Sequence, residues 1–196
     1  MTGLDEAGRQ AAGRFEELEK ARDIAVNGSR AVIRMTKRVM HSVHLGQDEA
    51  VTGMDEAMAA LLGSVADLPE ILHSGVVGDA MAEYAEARLL IAFVHGEPVP
   101  SAETLGITPQ SWALGLCDSL GELRRVLLTQ LMSAETDAAR RTFGMMEEVA
   151  GIIMDFDVPD AIVPLRRKQD VARGIMERTR SDIATAIVTS GYPHRD

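Results

Sequence analysis

The chain is poor in aromatic residues, cysteine, positive charge and long hydrophobic runs, and each shortage closes off a class of explanation. Aromatic side chains make up 4% of the 196 residues, whereas strands favour aromatic and β-branched residues, so an all-β fold is excluded. One cysteine, Cys117, leaves no intrachain disulfide framework and suits a reducing cytoplasm. Twenty Lys and Arg against 30 Asp and Glu give a net charge of -10. A generic nucleic-acid-coating protein is therefore not expected, because affinity for phosphate is largely electrostatic, and any such site must be a local basic patch. Apolar runs such as residues 91–94 are too short to span a bilayer, and the polar N-terminus does not resemble a signal peptide. The expectation is a cytoplasmic protein with no membrane partner. No GxxxxGK[ST] or GxGxxG loop occurs, and the histidines fall in neither HExxH nor zinc-finger spacing.

What is abundant is helical. Hydrophobic residues make up 46% of the chain, and their three-and-four spacing predicts an all-α fold of one domain over residues 1–196, with frayed ends at about 1–5 and 190–196. Helices are expected over residues 4–45, 48–62, 76–94, 108–132, 134–155 and 160–188. Gly28 is a candidate break in the first and Gly46 its stop. Thr108-Pro109 opens the fourth as cap and first-turn proline.

Two patterns carry possible chemistry. The first helix presents Arg30, Arg34, Lys37, Arg38 and His41 with no acid between them. A solvated face and a phosphate-contacting face both fit this stripe. The third helix carries Glu83 and Glu86 at i,i+3, and the fourth carries Asp118 and Glu122 at i,i+4. Each pair lies on one helix face, with Cβ atoms about 5–6 Å apart. Glu83 and Glu86 interrupt an apolar stripe, and ionised carboxylates are rarely buried unless paired or bound to metal. Four such acids facing one another would make an oxygen-only site for a hard divalent cation. The bland reading stays open, since Glu16 with Glu19 and Asp157 with Asp160 share the first spacing, and Arg125 is placed to neutralise the Asp118 and Glu122 pair. Gly121, inside a helix, points to close approach by a neighbouring helix or ligand.

The run Trp112-Ala113-Leu114-Gly115-Leu116-Cys117-Asp118-Ser119-Leu120-Gly121-Glu122-Leu123-Arg124-Arg125 resembles the most distinctive segment of the translin superfamily. Specifically, it resembles the catalytic branch of translin-associated factor X, where a Gly-x-x-Asp-x-x-Gly-Glu-Leu-x-Arg helix follows a Glu-x-x-Glu helix. Glu83 and Glu86 match the latter helix; Asp118 and Glu122 match the former. The likeness runs over about residues 14–187, including the basic first helix and the Leu165-Arg166-Arg167-Lys168-Gln169-Asp170 run. The short connector before the fourth helix is similar to archaeal members with one subunit type.

The resemblance implies a translin-like bundle of six to seven helices and a hollow homo-oligomer, an octamer. It implies a metal-dependent endoribonuclease acting on single-stranded RNA, with Mg²⁺ or Mn²⁺ at Glu83, Glu86, Asp118 and Glu122. Arg30, Arg34, Lys37 and Arg38 would guide single-stranded RNA or DNA. Two rivals stand beside it: a non-catalytic single-stranded nucleic-acid-binding oligomer, and an all-α nucleoside-triphosphate pyrophosphohydrolase, which also uses Glu-x-x-Glu acids.

Overall fold

A computed structural model describes residues 3–47 and 51–190. Among them are eight helices and no strand, six of the helices being 15 residues or longer. The all-α expectation holds, and no described helix is long and apolar enough to cross a membrane. The chain divides into two compact units, residues 1–84 and 85–196.

In the first unit, α1 (Leu4–His44) is one unbroken helix of 41 residues. Ala21, Ala25, Ser29, Val32, Thr36, Val39 and Val43 form its buried face, with α2 (Val51–Val65) packed against it. Ile24, although it falls at three-and-four spacing from Gly28 and Val32, is 55% exposed; Ala25 takes the inward position one residue on. Gly28 does not break the helix. A Cβ there would stand 2.9 Å from Leu61 Cδ1, so the glycine lets α2 approach. Met54, Met58, Leu61 and Val65 are the buried stripe of α2. The helix expected to end at residue 62 runs on through Gly63 and Ser64, where the Ser64 hydroxyl donates to the Leu61 carbonyl at 2.7 Å. Gly46 ends α1 as expected, at a φ of 65° that suits glycine. The start of the second helix was expected at residue 48, and residues 48–50 lie outside those described.

A single turn, α3 (Pro69–Leu72), follows. Arg14 of α1 reaches both carboxylate oxygens of Glu70 at 3.1 and 3.2 Å. That pairing raises the Arg14 pKa. The Glu70 pKa is lowered, first by its own backbone amide and then by Arg14.

The next helix, α4 (Gly75–His95), crosses the division between the units. Its stretch from Leu89 to Phe93 is buried at every position. Within the first unit, the Tyr84 hydroxyl donates to Asp55 at 2.8 Å.

In the second unit, α5 (Ala102–Leu105) is capped by Ser101, which accepts from the Thr104 amide. The expected Thr108 cap opens α6 (Pro109–Met132), its hydroxyl accepting from the Ser111 amide at 3.2 Å. Leu116, Leu120, Leu123 and Leu127 form the buried stripe of α6. It packs with α7 (Thr136–Asp155) and α8 (Arg166–Ser190), which also pack on each other. Arg124 of α6 donates to Thr179 and Asp182 of α8, both at 2.7 Å.

The last helix starts at Arg166, not residue 160. Pro164 disfavours helical backbone in the residue before it, and residues 160–163 instead turn back on the Pro159 carbonyl. Gln169 then donates to the Ile153 and Phe156 carbonyls at 2.9 Å each, satisfying the end of α7. Of the ends expected to fray, Leu4 and Asp5 are helical, and residues 191–196 lie outside those described.

Candidate acid site and basic helix face

Asp118 and Glu122 sit one turn apart on α6, both half-buried. Asp118 has a partner the sequence did not single out. Lys168, in the first turn of α8, donates to both carboxylate oxygens at 2.5 and 2.6 Å. A lysine in a helix's first turn stands against the macrodipole, and the Asp118 carboxylate offsets that cost. Glu122 stands 3.8 Å from Arg125, so the arginine expected to neutralise the acid pair meets this member of it, and Lys168 meets the other.

Gly121, between the two acids, has nothing within 4 Å of where a Cβ would be. Of the two reasons expected for it, a neighbouring helix or a ligand, no helix among the described residues makes the close approach, and the glycine leaves open space beside Asp118 and Glu122. Cys117, next to Asp118, is buried. Burial chiefly, and then the Asp118 charge, push its thiol pKa up to about 11, with Lys168 opposing. A thiol so held is a small core hydrophobe and not a nucleophile.

Glu83 and Glu86 are likewise one turn apart on α4 and half-buried, as expected of acids that interrupt an apolar stripe. Among the described residues no three His, Cys, Asp or Glu side chains stand together as a ready-made ligand set. The donor chemistry nonetheless fits a hard divalent cation. All four groups are carboxylates, and Asp118 already holds a cationic group on both oxygens. Mg²⁺ in particular is usually held by one or two carboxylates, with water and substrate phosphate completing its shell.

On α1 the basic stripe is exposed at Arg30, Arg34, Lys37, Arg38 and His41. None of the four Arg and Lys side chains forms an ion pair with a described residue. From residue 24 to the end of α1 there is no Asp or Glu, so this half of the helix is purely cationic within an acidic chain. Lys168 is the residue that sequence reasoning passed over; the Arg166-Arg167-Lys168 run was visible but reads as salt-bridged surface.

No family model matches the chain. It is 31% identical over 174 residues to an uncharacterized protein of Methanocaldococcus jannaschii, covering 86% of this chain and 78% of that one. Among solved structures, it is 32% identical to AfC3PO in a complex with duplex RNA, at a TM-score of 0.81, covering 92% of this chain and 96% of the other. A crystal structure of AfC3PO alone matches at a TM-score of 0.78 over 92% of this chain. A structure of apo-NeC3PO, 19% identical, matches at 0.78 over 95% of this chain and shares the fold.

Proposed function

The chain belongs to the translin superfamily, and from that premise we propose that it is an RNA-binding, metal-dependent endoribonuclease of the kind found in that superfamily's catalytic branch. The observation that carries the proposal is Asp118, its two oxygens on a cationic group beside open space at Gly121, within the Gly115-to-Arg125 motif. Glu83, Glu86, Asp118 and Glu122 are the residues that would hold Mg²⁺ or Mn²⁺. Such an ion supplies Lewis-acid stabilisation of the charge developing on a phosphodiester.

The chain's own groups do the rest. The exposed Arg30, Arg34, Lys37 and Arg38 of α1 draw in and steer the RNA backbone. A carboxylate among the four, not committed to the ion, accepts a proton from attacking water. That AfC3PO is found with duplex RNA supports RNA as the ligand. Single-stranded RNA is the proposed substrate, with single-stranded DNA as a second ligand, and the proposed assembly is a homo-octamer.

The test is incubation with labelled single-stranded and duplex RNA, with and without Mg²⁺ or Mn²⁺, alongside Glu86→Ala and Asp118→Ala. Cleavage that needs the metal and disappears in both variants is expected; full cleavage by either variant would sink the proposal. Size-exclusion chromatography with light scattering reads the assembly, and a mass other than eight chains removes the octamer.

A second reading draws on the ion pairs of Asp118 with Lys168 and Glu122 with Arg125. They equally suit acids kept for structure in a non-catalytic RNA-binding oligomer. Tight RNA binding that ignores chelators, with no cleavage, would favour it. The pyrophosphohydrolase alternative drew on the Glu-x-x-Glu spacing, and pyrophosphate release from free nucleotides would be needed to restore it.

A further inference from the structure

We propose that Lys168 is the positioning residue of the acid face: its ammonium holds Asp118 through both carboxylate oxygens and competes with a divalent cation for that carboxylate. The inference rests on the metal-dependent reading above. The contact is two-pronged, at 2.5 and 2.6 Å, so it takes up both oxygens a hard cation would use. Among the described residues Asp118 is the ion-pair partner of Lys168.

The backbone beneath Lys168 is fixed. Its neighbour Gln169 is tied to the Ile153 and Phe156 carbonyls at the end of α7, so the first turn of α8 presents the lysine to α6 in one place. The side chains are not fixed in the same way. That of Lys168 is 36% exposed and that of Asp118 is 40% exposed. A four-carbon stem with a wet end can swing away without unpacking the helix. A divalent ion arriving at Asp118 meets a like charge and must displace the ammonium or share one oxygen with it, and either lowers its affinity. When displaced, Lys168 stays tethered within reach of the same carboxylate and returns when the ion leaves.

The test is Mn²⁺ binding to the intact protein without RNA, read by isothermal titration calorimetry and by water-proton relaxation. Wild type, Lys168→Gln, Lys168→Arg and Asp118→Asn are compared, with circular dichroism melting as the folding control. Lys168→Gln should bind Mn²⁺ about 1.5- to fivefold more tightly, the range for losing one partly exposed ion pair. Lys168→Arg, whose planar fork grips a carboxylate more firmly, should bind it more weakly than wild type. Asp118→Asn should lose most of the binding. An unchanged or weaker Mn²⁺ affinity in Lys168→Gln overturns the inference, as does tighter binding in Lys168→Arg. Wild type that binds Mn²⁺ and cleaves RNA, with Lys168→Gln unchanged in affinity, removes this inference alone. No Mn²⁺ uptake by wild type or Lys168→Gln removes it together with the metal-dependent reading.

Discussion

Replacing Arg30, Arg34, Lys37 and Arg38 together by glutamine isolates the electrostatic part of RNA binding. The four side chains are exposed and lack ion-pair partners among the described residues, so the substitution removes charge without breaking a bridge. Glutamine has nearly the helix propensity of Arg and Lys, and α1 should keep its length. From Arg30 to Arg38 the helix rises about 12 Å, and the four positions fall on one face, so they can meet neighbouring phosphates of one strand. Each phosphate neutralised contributes about 0.7 to the salt slope on a single strand and about 0.9 on duplex.

Losing four contacts should therefore flatten the plot of log affinity against log salt by up to about 2.8 for single-stranded RNA and about 3.6 for duplex. Between 50 and 200 mM salt, that slope corresponds to about 50-fold and about 150-fold in affinity. Fluorescence anisotropy with labelled RNA across that salt range reads both the slope and the ligand form. A slope unchanged in the quadruple variant would refute the assignment of this helix face to the RNA backbone.

Arg124→Met removes the donor to Thr179 and Asp182 and should cost about 1–3 kcal/mol in urea unfolding; a loss below a few tenths would mean the α6–α8 link is ornamental. Gly28→Val drives a side chain onto Leu61, 2.9 Å from the position of its Cβ. It should destabilise the protein by about 1–3 kcal/mol through overpacking, and an unchanged melting temperature would contradict the close approach of α1 and α2. The Cys117 thiol, held up to about 11 in the folded chain against 9.0 ordinarily, binds its proton more tightly when folded. Its contribution is full below about pH 9 and is lost as pH rises toward 11, so wild type should lose stability over that window relative to Cys117→Ala. Parallel pH profiles for the two proteins would show that the thiol is not held this way.

Helical periodicity alone was enough to place α1, α4, α6 and α7, because an amphipathic or wholly apolar helix writes its period into the sequence. Capping chemistry placed the start of α6 at Thr108 and the end of α1 at Gly46, since those residues act on their own backbone. The acids Glu83, Glu86, Asp118 and Glu122 were legible as two pairs, and so was an arginine beside the second pair, because residues three and four apart on a helix must be neighbours.

What the chain's local pattern left undecided depended on residues far apart in sequence. Gly28 reads as a helix breaker until Leu61 is seen against it, and Gly121 reads equally as room for a helix or for a ligand until no described helix is found against it. Most of all, Asp118 and Lys168 lie 50 residues apart. No periodicity relates them, and only the packing of α8 against α6 makes one the partner of the other. A helix dictates its own faces, but which charge meets which across two helices is decided by how their buried stripes dock.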